Sequence, residues 1–144
     1  MGRFVNPDNS AFQVALNSPI YVDKTGLLEY TNSVLNTTEA YICNCRPRRF
    51  GKSYAANMLA AYYSKGASSE EMFSKLDIGK TPDFKRHLNK YDVIHIDIQW
   101  FLANVKNAEL VVSRITDSVL EELKNIYPEQ VTENVCHFRM LCHV

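Results

Sequence analysis

The sequence predicts an α/β fold, a parallel sheet flanked by helices, on three observations. Two short apolar runs, residues 40–45 and 91–98, have the length of sheet strands and are bounded by turn chemistry. Helical patterns alternate with them, over Asp23 to Leu35, Lys52 to Lys65 and Ala108 to Ile126. Between the first run and the helix after it stands a short basic turn ending in glycine, Arg46 to Gly51. Strands that alternate with helices lie parallel, and right-handed crossovers restrict how they wind.

Taken in order, residues 1–22 hold Pro7, Asp8, Asn9, Ser10, Asn17, Ser18 and Pro19, a density of turn formers that predicts an extended or looped lead-in. From Asp23 a helical stripe runs through Leu27, Leu28, Thr31, Val34 and Leu35 until Asn36-Thr37-Thr38 ends it. Ala40-Tyr41-Ile42-Cys43-Asn44-Cys45 then suits a buried parallel strand, on which Cys43 and Cys45 are expected not to grip one metal together. The helix from Lys52 turns Ala55, Met58, Leu59 and Tyr62 inward, with Gly66 at its end. Ser68-Ser69-Glu70-Glu71 resembles a helix start with Met72, Phe73 and Leu76 on its buried side, and Asp77-Ile78-Gly79 breaks it. A short helix spans Asp83 to Asn89, the second strand follows from Tyr91 to Ile98, and Pro128 ends the last and longest helix.

With 144 residues and 46% of them hydrophobic, the chain reads as a single domain over residues 1–144. Sixteen basic and sixteen acidic side chains cancel, so no global field recruits nucleic acid or an anionic membrane. The N-terminus lacks the apolar core of a secretory signal, and the longest apolar stretch, Val93 to Val105, is interrupted by His95, Asp97, Gln99 and Asn104. The expectation is a soluble, cytoplasmic protein with no membrane partner and free thiols rather than disulfides. Cys136-His137 and Cys142-His143 place four metal-capable side chains close together, in a spacing that matches no common structural zinc pattern.

The chemistry sits in Arg46-Pro47-Arg48-Arg49-Phe50-Gly51-Lys52-Ser53, which fits the Walker A pattern G-x-x-x-x-G-K-[ST] everywhere except the first glycine. Strand, loop and helix in that order are what a P-loop needs, which sharpens the fold to a P-loop NTPase-like sheet, here incomplete. Gly51 permits close backbone approach, and the N–H groups of Gly51, Lys52 and Ser53 open a helix whose dipole favours an anion. Lys52 reaches the β and γ phosphates of a nucleoside triphosphate, and the Ser53 hydroxyl is placed for Mg²⁺. Arg46 resists the positive φ that glycine accepts, and Pro47 pushes it toward extended geometry, so the loop must be shaped differently from an ordinary P-loop. Arg48 and Arg49 compensate with fixed charge, one of them as a bidentate phosphate ligand. Phe50 and Tyr54 complete the candidate nucleotide-binding set of Arg46, Arg48, Arg49, Phe50, Gly51, Lys52, Ser53 and Tyr54.

Tyr21-Val22-Asp23-Lys24-Thr25, a helix, and the strand running into that octapeptide resemble the start of the AAA-ATPase-like prokaryotic family, over roughly residues 20–100. The family carries R-P-R-R-F-G-K-S where an ordinary Walker A stands. The resemblance implies an ATP-binding domain using ATP and Mg²⁺, with P-loop roles on Arg46, Gly51, Lys52 and Ser53, and full-length relatives that often continue into a nuclease-like domain. Nucleic acid would enter only through such a C-terminal domain, and the present chain then reads as an N-terminal fragment.

Hydrolysis needs an acid at the end of an apolar strand to organise Mg²⁺. Asp97 is the candidate here and joins Lys52 as a catalytic expectation, although Ile98 stands where a second carboxylate often follows. The resemblance places the family's acidic motif further downstream, so nucleotide binding with weak or absent turnover is the expectation. His87, His95 and His137 have no triad partners nearby, and Tyr62, Tyr63, Phe73, Trp100 and Phe101 lie at core spacings. Two rival readings remain: a basic loop holding nucleic acid or another anion without a nucleotide pocket, and an inert fragment whose open sheet edge makes it a homo-oligomer.

Overall fold

The computed structural model describes residues 2–105 and 107–131. Among them lie seven α-helices, α1 Ser10–Leu16, α2 Gly26–Val34, α3 Lys52–Tyr63, α4 Glu70–Ser74, α5 Phe84–His87, α6 Ile98–Ala103 and α7 Val111–Ile126, with 3-10 turns at Asp77–Lys80 and Ala108–Leu110. No β-strand forms among the described residues, so the expected parallel sheet, and with it the α/β P-loop NTPase-like fold class, is overturned.

The physical reason is visible in where the two apolar runs find partners. Residues 40–45 are exposed throughout, Tyr41 at 80%. With no strand alongside among the described residues, an extended backbone there gains nothing over hydration. The second run meets a neighbour on each side, but for one pair only: Tyr91 bridges Ser64 in parallel and Ile94 bridges Val5 antiparallel. The ladder stops because one neighbour is the end of α3 and the other is a short N-terminal segment. The Asp97 carboxylate then accepts the N–H groups of Gln99 (2.9 Å) and Trp100 (3.3 Å), starting α6 at Ile98, where the strand was expected to end.

The lead-in also departs from expectation, since it contains α1. Its turn formers work as a helix entry: Asp8 accepts the Ser10 N–H at 3.0 Å, and the Asn9 amide donates to the Ala67 carbonyl at 2.6 Å, tying the helix start to the approach to α4. Phe12 and Ala15, three apart, are buried. Helices α2, α3, α4, α5 and α7 lie within the predicted patterns, with Leu28, Thr31 and Val34 buried on α2, Ala55, Met58 and Tyr62 on α3 and Phe73 on α4, whereas α6 was not expected.

Two apolar clusters result. The larger joins Phe12, Leu28, Met58, Tyr62, Phe73, Ile78 and Phe84. Within it Phe12 stacks on Phe73 with centroids 5.0 Å apart, and the Tyr62 hydroxyl donates to the Phe84 carbonyl at 2.8 Å. The smaller joins Phe4, Val5 and Phe101 to Val111, Ile115 and Val119 of α7. Glu122 on α7 gathers the backbone N–H groups of Arg3, Phe4 and Val5 at 2.8–3.0 Å, doing with one carboxylate what a neighbouring strand would otherwise do. Helix α3 runs from the larger cluster out to the basic turn, and so positions that turn.

Candidate functional site

Helix α3 begins with a conformational requirement that the sequence meets. Gly51, its N-cap, sits in the left-handed region at φ +78°, ψ +26°, where a side chain is strained. Arg49 adopts φ +67° without glycine's freedom, a cost of about 1–2 kcal/mol held in the loop. Arg46, where the usual first glycine is missing, is not among the positive-φ residues.

That geometry leaves the first N–H groups of α3 open. Gly51 has no side chain to cap them, and among the described residues those of Lys52, Ser53 and Tyr54 donate to nothing, while the Ala55 N–H closes the first turn on the Gly51 carbonyl at 3.0 Å. The Lys52 ammonium folds back onto the loop and donates to the carbonyls of Arg46 and, at 3.0 Å, Pro47. Carbonyls are weaker acceptors than a phosphate oxygen, so this arrangement holds the loop and remains exchangeable.

A further cation joins from the chain before α2. Lys24 donates to the Phe50 carbonyl at 3.2 Å, and its Nζ would lie 2.7 Å from a Cβ placed on Gly51. Its neighbours fix it there. Asp23 accepts the N–H (2.8 Å) and hydroxyl (2.7 Å) of Thr25 with one oxygen and the Asp77 N–H (2.8 Å) with the other, while the buried Thr25 hydroxyl accepts from the Ile78 N–H at 3.1 Å. Burial pushes the Asp23 carboxyl up, but the bonds from Asp77 and Thr25 and the charge of Lys80 outweigh it and leave the group below its ordinary value. The Tyr21-to-Thr25 segment is thus bolted to the core on one side and presents Lys24 to the loop on the other.

Lys24, Arg46, Arg48, Arg49 and Lys52 are all exposed, and among the described residues none pairs with a carboxylate. In a chain of zero formal charge, this is a local positive field. Arg48, Arg49, Gly51, Lys52, Ser53 and Tyr54 line an open depression of about 630 Å³, with Gln99 of α6 on its far side. Asp97 does not line it; one of its oxygens caps α6. Phe50 and Tyr54 are 62% and 58% exposed, unusual for rings that size.

Residue by residue, the structure brings Arg48, Arg49, Gly51, Lys52, Ser53 and Tyr54 together, keeps Arg46 as an acceptor for Lys52, and sets Asp97 at a helix cap. Lys24 and Gln99 were missed; the only sequence signal for Lys24 was its place in the Tyr21-to-Thr25 match. Cys43 and Cys45 differ from expectation: off a strand, their sulfurs approach to 3.3 Å, and the hydrogen bond between them pushes the Cys43 thiol up. His87 bonds the Tyr91 hydroxyl at 2.6 Å, a structural role. Cys136, His137, Cys142 and His143 lie outside the described residues.

The family described as Predicted AAA-ATPase matches residues 11–141, from α1 past α7. The chain belongs to the predicted AAA-ATPase family. Neither a curated protein nor a solved structure matches it. The family match takes in both Lys24 and the basic loop, and no described helix of this AAA-ATPase-family chain is long and apolar enough to cross a membrane.

Proposed function

We propose that this domain binds ATP, with the triphosphate at the start of α3 and Mg²⁺ beside it. The observation that carries the reading is the set of open N–H groups at Lys52, Ser53 and Tyr54, heading a twelve-residue helix and flanked by unpaired cations. A helix N-terminus with its dipole, a lysine held only by carbonyls and two arginines supply what a polyphosphate needs: donors, charge and little reorganisation. Membership of the predicted AAA-ATPase family agrees with nucleotide use in general.

The residues also fit Mg²⁺. Ser53 offers an exposed hydroxyl next to the phosphate position. Bound there, the metal would neutralise phosphate charge. Lys52 exchanges its carbonyl partners for phosphate oxygens, Arg48 and Arg49 add charge at the mouth, and Gly51 keeps the backbone close. With no carboxylate lining the depression among the described residues, the proposed activity is binding with weak or absent turnover.

The test is calorimetric titration of ATP with Mg²⁺ into the wild type and Lys52→Ala. Removing a charge-assisted phosphate contact should weaken binding at least about tenfold, about 1.4 kcal/mol, while the melting temperature stays put. Equal affinities in the two proteins contradict the assignment. A basic loop serving nucleic acid would instead lose affinity steeply with salt and respond only slightly to this substitution.

A further inference from the structure

The loop's depression is not the only concavity at this place. A cleft of about 410 Å³ adjoins it, and the two share Arg49, Gly51 and Tyr54. Its volume falls in the range of small-molecule pockets. Its character is different, with Phe12, Ala15, Tyr21 and Met58 in its wall and Ile20, Val22, Phe50 and Tyr54 at its mouth. Those four mouth residues are 58–85% exposed, a concentration of solvated apolar surface around one opening. Burial raises the Tyr21 hydroxyl to about 12, so this wall stays neutral at all working pH values. Lys24 stands where the apolar cleft meets the cationic loop.

We infer that this cleft takes the base and sugar of the nucleotide whose phosphates lie at Lys52 and Ser53, and that Lys24 binds the phosphate nearest the sugar. The inference rests on the proposed nucleotide site. A nucleoside triphosphate is a flat, weakly polar ring joined to a polyanion, and the two joined concavities have that sequence of chemistries in that order. The Lys24 ammonium, now on the Phe50 carbonyl, has a phosphate as its stronger acceptor, and Asp23 and Thr25 keep its backbone in place while it exchanges. The cleft thereby gives the Tyr21-to-Thr25 segment a ligand-binding role.

The test compares ATP with inorganic tripolyphosphate, both with Mg²⁺, on the full chain. Wild type should prefer ATP by about tenfold or more, the worth of modest apolar burial. The double variant I20S/V22S, altering two exposed residues, should lose that preference while its tripolyphosphate affinity stays unchanged. Lys24→Met should weaken both ligands several-fold at an unchanged melting temperature. If wild type binds the two ligands equally, or I20S/V22S binds ATP as wild type does, the cleft assignment is overturned while the phosphate site stands. If Lys24→Met leaves both affinities unchanged, the role of Lys24 is overturned. Binding of neither ligand by wild type removes the nucleotide site itself and this inference with it.

Discussion

The two ends of helix α3 are built on opposite terms. At its C-terminal end the carbonyls are collected: the Asn89 amide donates to those of Ala61 (3.1 Å), Tyr62 (3.3 Å) and Ser64 (2.9 Å), Ser69 donates to Ala61, and the backbone N–H groups of Asn89 and Tyr91 take Tyr62 and Tyr63. At its N-terminal end the donors of Lys52, Ser53 and Tyr54 have no partner among the described residues, and the side chains around them are exposed. A buried helix end must satisfy its backbone internally, whereas a solvated one can leave donors to water or a ligand. One end is therefore structural, and the other is free to work.

The largest expected effect tests the closed end. Asn89→Ala removes those carbonyl bonds and the acceptor for the Ser69 N–H, at a residue held at φ +53°. It should cost about 2–3 kcal/mol in denaturant unfolding, with Asn89→Gly recovering the part due to backbone strain. Lys52→Ala, at the open end, should change stability by less than about 0.5 kcal/mol, since it deletes only exposed contacts. If the two substitutions cost the same, the contrast between the ends is wrong.

Next comes the hinge of the open end. Gly51→Ala forces a Cβ into the left-handed region and against the Lys24 ammonium, 2.7 Å away. A loss of about 1–2 kcal/mol in thermal unfolding is expected. ATP affinity should fall with it, because the same Cβ displaces Lys24 and stands over the open amides. Unchanged affinity would detach Gly51 from the site.

The smallest effect is in acid. Asp92 accepts from Lys65, just past the closed end of α3, and from Tyr127 and Asn6, and these bonds, that of Lys65 first, lower its carboxyl to about 2 from an ordinary 3.8. The folded state thus holds its proton less tightly than the unfolded chain does. The stabilisation is fully present above the ordinary value and fades as pH falls from about 4 to about 2. Because the group is largely exposed the effect is small, and Asp92→Asn should remove that part of the acid dependence while sparing ATP binding. A wild-type acid profile in that variant would place the titration elsewhere.

Helix periodicity was legible because it depends on local spacing: Ala55, Met58 and Tyr62 point inward as their pattern demands. The sheet was not, because a strand exists only through its partners. Residues 40–45 have strand composition and no strand partner among the described residues, and Ile94 finds in Val5 a partner for one pair. Helix α1 was hidden by turn formers that serve as its entry. At the site, the basic turn was readable since consecutive residues carry it, from Arg46 to Ser53. Lys24 could not be placed by spacing, because its approach to Gly51 depends on Asp23 and Thr25 gripping the 3-10 turn at Asp77–Lys80.

The most direct measurement of the central claim is residue-resolved amide NMR during an ATP titration with Mg²⁺. The account predicts that the N–H resonances of Lys52, Ser53 and Tyr54 shift downfield and saturate with ATP, while those of Tyr63, Asn89 and Tyr91 at the closed end stay in place. Saturating ATP that leaves the Lys52-to-Tyr54 amides unmoved, or that moves only amides elsewhere, would contradict it.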